Sequence, residues 1–160
     1  MEFIKIPWMS VGSKNNLAAT CDPKKVFNQL VTVDANEWGF FKLPNGKLLV
    51  VGYAALGLVP QGIISNGNFL MGIDEVLSSF DVNTLGDKFS YRMPSIFHEF
   101  VSLDELIVVR DEVGFVAISD GGVEVWKFLT NGPINEFFIE SGKIYGNTID
   151  GEQFNFSVPS

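Results

Sequence analysis

Apolar residues in this chain come in short runs broken by Asn-Gly and Asp-Gly. GFFKLPNG occupies 39–46 and GFVAISDG occupies 114–121, with looser versions in GIISNG at 62–67 and IYGNTIDG at 144–151. Asn-Gly and Asp-Gly tolerate the positive φ of a tight turn, so each phrase is a hairpin signal. Pro44-Asn45-Gly46 predicts a type I turn with Gly46 left-handed, joining strands at 38–43 and 47–53. Ser65-Asn66-Gly67 predicts a second hairpin, joining 62–64 to 68–72. Over the last 55 residues the pattern predicts strands at 106–110, 113–118, 122–129, 134–140, 143–148 and 152–158. LIVVR and VGFVAI are apolar on both faces and belong inside a sheet packed on both sides. The last strand alternates, with Phe154, Phe156 and Val158 on one face and Gln153, Asn155 and Ser157 on the other.

Three stretches read as helical. Asp22 is a good N-cap and Pro23 suits the first helical position, so KKVFNQLV predicts a helix of about ten residues. Positions 73, 76, 77 and 80 fit the helical period, and 95–101 predicts a further short helix. The segment 73–105 then becomes an irregular or helical insertion between two strand blocks. The turn glycines at 46, 67, 121 and 151 are spaced 21, 54 and 30 apart, which is not the fixed period of a solenoid. GGVEVWKF and GKIYGNTIDGEQFNF resemble single blades of β-propellers, but 160 residues look too few for four blades of four strands. The expectation is therefore one mainly β domain, β-rich α+β, spanning 1–160. It would be an antiparallel meander of about ten strands forming a sandwich or incomplete barrel, with two or three short helices.

Composition narrows the function classes. The single cysteine, Cys21, allows no intrachain disulfide and fits a reducing compartment. MEFIKIPWMS has no basic segment followed by an apolar one, and the longest apolar run, 48–59, is too short for a spanning helix. These features predict a cytoplasmic protein without a membrane partner. The net charge of −8 is uneven: residues 1–60 hold six Lys and four acids, and residues 61–160 hold five basic and fifteen acidic residues. Such an acidic chain repels phosphates, predicting no nucleic-acid partner and favouring a basic protein.

Catalytic patterns are sparse. The glycine spacings of phosphate-binding and dinucleotide-binding loops are absent. One His and one Cys predict no zinc site of the usual kind and no other metal or cofactor. His98, oriented by Glu99 or Asp104, is the one candidate imidazole base; an ordinary histidine in an aromatic segment is the plainer account. Cys21, just ahead of the Asp22 cap, would sit at a helix N-terminus that activates thiols, though Asp22 opposes this. The acid pairs Asp104/Glu105 and Asp111/Glu112 flank one strand roughly 20 Å apart by strand rise, too far for a dyad. Ser102 with Glu105 also reads as a capping box. No catalytic residue is assigned.

The acidic hairpin tract RDEVGFVAISDGGVEVWKF and the Trp/Asn/Gly-rich strands together resemble the immunity proteins that protect bacteria from polymorphic or contact-dependent toxins. The resemblance implies a non-catalytic inhibitor that occludes a basic toxin, for instance a nuclease. Asp111, Glu112, Asp120, Glu124 and Trp126 are the candidate partner-binding residues, with Trp126 as an aromatic anchor ringed by acid. The alternatives are a carrier or sensor holding a small apolar ligand in a β-barrel, and a structural or assembly subunit.

Overall fold

The computed structural model describes residues 3–54, 58–103 and 106–159. Its strands are β1 (Ile4–Ile6), β2 (Trp8–Val11), β3 (Val26–Val31), β4 (Glu37–Lys42), β5 (Leu48–Tyr53), β6 (Gln61–Ser65), β7 (Asn68–Ile73) and β8 (Val76–Asp81). They continue with β9 (Asp87–Arg92), β10 (Phe97–Leu103), β11 (Leu106–Asp111), β12 (Gly114–Ile118), β13 (Glu124–Leu129), β14 (Ile134–Glu140), β15 (Lys143–Thr148) and β16 (Gln153–Ser157). One helix, α1 (Lys14–Thr20), is present among the described residues.

The strands form four sheets: sheet I in the order β2-β4-β5-β3, sheet II β1-β6-β7-β8-β9, sheet III β10-β11-β12-β13, and sheet IV β14-β15-β16. All pairings are antiparallel except β3 with β5. The mainly β, antiparallel architecture agrees with the reading of the sequence. The sheets are open, as a sandwich or incomplete barrel requires, and they are stacked face to face; one helix is described where two or three were expected. The described residues form sixteen strands in four sheets, more than the ten or so expected, so 160 residues are enough for four short meander sheets.

Three apolar seams hold the stack together. Phe41, Leu49 and Val51 of sheet I meet Phe69, Met71 and Phe80 of sheet II. Ile63, Leu70 and Leu77 on the other face of sheet II meet Ile107, Val109, Val116 and Ile118 of sheet III. Val108, Phe115 and Ala117 then turn to Ile134 and Ile144 of sheet IV. Strands β5, β7 and β12 are buried at every position, as strands packed on both faces must be. At the second seam Gly72 has no side chain, and the buried ring of Phe97 occupies the space a methyl would need.

Two predicted turns form as expected. Gly46 has φ 83° and its N–H donates to the Leu43 carbonyl. Asn66 and Gly67 both have positive φ, which suits the right-handed strand twist of a two-residue hairpin. The six C-terminal strands, β11 to β16, fall within about three residues of their predicted bounds.

The predicted helices are not helices. Residues 26–31 form β3. Asp22 makes a local turn instead of a cap, its Oδ1 accepting from the Lys24 N–H while its carbonyl accepts from the Lys25 N–H. A register shift between Val26 and Asn28 inserts one residue, so Phe27 and Leu30 both reach the first seam at a spacing that imitates a helix. At 73–80, Asp74 has φ 45° and turns the chain between β7 and β8. Leu77 then faces the second seam and Phe80 the first, so the apparent helical period is two faces of a buried strand. Residues 97–103 are β10, so the described part of the segment, 73–103, supplies strands to sheets II and III rather than an irregular or helical insertion. The actual helix, α1, lies where no element was predicted. Ser13 caps it, accepting from the Asn16 N–H, and Leu17 is its one buried residue, too little to print a period. It covers part of the outer face of sheet I, where Leu17 and Cys21 pack with Leu48 and Val50.

Candidate functional site

The predicted catalytic candidates are not brought together. Cys21 is the C-cap of α1, not a residue ahead of a helix start. The helix C-terminus does not favour a thiolate, and burial pushes this thiol up. His98 lies at the far side of the second seam, in the bulge of β10 between Phe97 and Glu99. Burial, and then the Arg110 guanidinium, hold its imidazole below the ordinary value, with Glu112 opposing. Its carbonyl accepts from Gln61 Nε2. The Asp104/Glu105 pair, and with it the Ser102–Glu105 capping box, lies outside the described residues. Among the described residues no group of three or more His, Cys, Asp or Glu is placed to hold a metal ion.

The five partner-binding candidates separate into different roles. Asp111 is 1% exposed. Its Oδ2 accepts from the Ser95 N–H at 3.0 Å and its Oδ1 from the Val113 N–H at 2.9 Å. It closes the β11–β12 turn and presents no carboxylate to a partner. Burial raises its pKa, and the backbone donors Val113, Ser95 and Gly114 work against that rise. Glu112 is half-buried in the same turn. Asp120 is exposed in the β12–β13 turn at the other end of β12.

Glu124 and Trp126 were expected on one face. The register shifts between Ala117 and Ile118, which pair with Trp126 and Glu124, so Val125 is extra and the two side chains diverge. Glu124 Oε2 accepts from the Tyr91 hydroxyl of sheet II at 2.9 Å. Trp126 packs edge-on against Phe156 of sheet IV, centroids 5.8 Å apart, and its indole N–H is buried without a partner. Trp126 is therefore seam packing more than a free anchor.

The surface that combines aromatic and acidic groups is the outer face of sheet IV. Its register sets Glu136, Asn147 and Gln153 in one row, Phe138, Tyr145 and Asn155 in the next, and Glu140, Lys143 and Ser157 in a third. Phe138 and Tyr145 stack with centroids 5.1 Å apart and planes at 12°, and Phe138 remains 58% exposed. With Glu136, Asn147, Gln153 and Asn155 they line an open groove of about 440 Å³. Residues 112–160 hold seven acids and two lysines. The one ion pair among the described residues there is Lys127 with Glu124, at 3.9 Å. The sequence bears this surface as Glu136, Phe138 and Glu140 at alternate positions of β14, a pattern obscured by the consecutive apolar residues Phe137, Phe138 and Ile139.

No protein-family model matches the chain, and no curated protein matches it. Among solved structures it is similar to the crystal structure of the computationally designed Ika4 protein, with a TM-score of 0.49 and 7% identity, over 87% of this chain and 100% of that one.

Proposed function

We propose that this chain is a non-catalytic protein-binding module, an immunity-type inhibitor that captures a basic toxin domain. The single observation that carries the reading is the outer face of sheet IV: an exposed Phe138 stacked on a half-buried Tyr145 and bordered by Glu136 and Glu140, in a stretch where seven acids meet two lysines. Aromatic groups at the centre of a contact with charge at its margin suit tight association with an oppositely charged protein. Glu112, Asp120 and Glu124 extend the negative field along sheet III and would speed encounter. A basic nuclease fits as the target, because its nucleic-acid cleft is positive. Action in the cytoplasm agrees with a lone, buried cysteine. The barrel-held ligand of the carrier reading has no support in open sheets.

The test is binding to the product of a toxin-like reading frame adjacent to this one, at 50 and 500 mM NaCl. Association should slow at least tenfold at high salt, and similarly when Glu112, Asp120 and Glu124 are all changed to Lys. Association unaffected by both salt and charge reversal would overturn the proposal.

A further inference from the structure

Sheet edges offer unpaired N–H and C=O groups to other chains, and proteins usually blunt them with charge, bulges or brevity. Among the described residues, seven of the eight sheet edges are blunted. Strand β1 has three residues, and β2 has four and follows Pro7. Strands β3, β9, β10, β13 and β14 each carry a register shift, and all but β3 hold charged residues as well. Strand β16 is the exception. Its five residues, Gln153-Phe154-Asn155-Phe156-Ser157, pair with β15 without a shift and include no charge and no proline. No described strand covers its other side. Sheet III has a fourth meander strand, β13, and sheet II has β9; among the described residues no strand takes the equivalent place beside β16.

We infer that β16 pairs antiparallel with β16 of a second copy of this chain, about a two-fold axis through Asn155. The sequence is nearly a palindrome about that residue, so the strand is complementary to itself, as a two-fold interface requires. The backbone phase also fits. The Val158 N–H donates to the Gly142 carbonyl, and the Glu152 carbonyl accepts from the Thr148 N–H. Even-numbered residues therefore point their backbone groups at β15, and Gln153, Asn155 and Ser157 point theirs outward. A two-fold at Asn155 sets Asn155 against Asn155 of the partner and Gln153 against Ser157, giving about six interchain backbone hydrogen bonds. Phe154 of each copy then lies beside Phe156 of the other, in the non-hydrogen-bonded positions where side chains are closest and aromatic pairs are favourable. The pairing is weak, with a dissociation constant on the order of 10–100 μM, because one short edge buries much less than the roughly 800 Å² per partner of a standard interface. Each copy carries −8, so added salt strengthens the pairing, opposite to its effect on capture of a basic partner.

The experiment is sedimentation equilibrium of the 160-residue chain from about 5 μM to 1 mM, with amide hydrogen exchange at both ends of that range. The expected result is a monomer–dimer equilibrium, with protection of the 153, 155 and 157 amides rising about five- to ninefold with concentration. The side chain of Asn155 is exposed, so Asn155→Lys and Asn155→Glu should each keep the native circular dichroism and melting temperature. Each should stay monomeric, since like charges meet across the axis, and a one-to-one mixture should dimerise. A wild-type monomer at 1 mM would overturn the inference. So would dimerisation without the concentration-dependent protection, or dimerisation of either charged variant alone.

Discussion

Phe128 on the edge strand of sheet III and Phe156 on β16 stack with centroids 4.0 Å apart and planes at 15°. The contact closes the open side of the third seam, where Phe115 already meets Phe137 and Phe154. Both rings are half-buried, so the stack sets how firmly sheet IV is held. Phe156→Ala should cost about 3 kcal/mol through lost burial and an unfilled gap. A double-mutant cycle with Phe128→Ala should return a coupling of about 0.5–1.5 kcal/mol by urea denaturation. Additive losses would mean that the rings share a seam without supporting each other.

Asp111 and Asp120 carry the same side chain at opposite ends of β12, and they should respond differently to removal. Asp111→Ala strips the acceptors from the Ser95 and Val113 amides in a buried turn, at a cost of roughly 2–4 kcal/mol. Asp120→Ala changes an exposed turn and should stay within about 0.5 kcal/mol. Thermal melts of the two variants check this directly, and equal losses would show that the buried turn does not depend on its carboxylate.

That contrast also marks how far the sequence can be read. Hairpins whose turn residues demand a positive φ, such as Pro44-Asn45-Gly46 and Asn66-Gly67, state their geometry locally, and they form as written. Whether Asp111 faces solvent or a turn depends on Ser95, 16 residues away, and no local pattern encodes that pairing. The misread helices at 22–31 and 73–80 share one cause. A strand buried on both faces, or shifted by a bulge, scatters its apolar residues at intervals of three and four. Phe27 with Leu30, and Leu77 with Phe80, therefore look helical until the seams they fill are known. The Glu124–Trp126 divergence turns on one extra residue, Val125, which the sequence does not flag.

Gly72 faces the ring of Phe97 across the second seam, in the space a β-carbon would fill. Gly72→Ala should force Phe97 out of its rotamer or part sheets II and III, costing about 1–3 kcal/mol. Gly46→Ala also loses stability, but through its φ of 83° and not through crowding, because nothing lies within 4 Å of a methyl there. Adding Phe97→Leu should recover much of the Gly72→Ala loss and none of the Gly46→Ala loss. If Phe97→Leu rescues neither variant, the seam is not limited by this contact.

Tyr91 and Glu124 join sheet II to sheet III at the margin of the same seam, the hydroxyl donating to Oε2 at 2.9 Å. Burial first, then the hydrogen bond and the charge of Glu124, push the Tyr91 pKa up to about 12. An unfolded tyrosine titrates near 10. The folded state therefore favours the neutral phenol, and the stability this contributes is complete below about pH 10. It is lost as pH rises from there through about 12. Ultraviolet titration of the phenolate should resolve a late-ionising tyrosine that disappears in Tyr91→Phe. Glu124→Gln should bring that ionisation down, because it removes the charge that penalises the phenolate and leaves an acceptor in place. The same substitution should narrow the pH interval over which the protein loses stability. If Glu124→Gln leaves the late titration where it was, the charge of Glu124 contributes nothing to the shift, and burial with the retained hydrogen bond sets it.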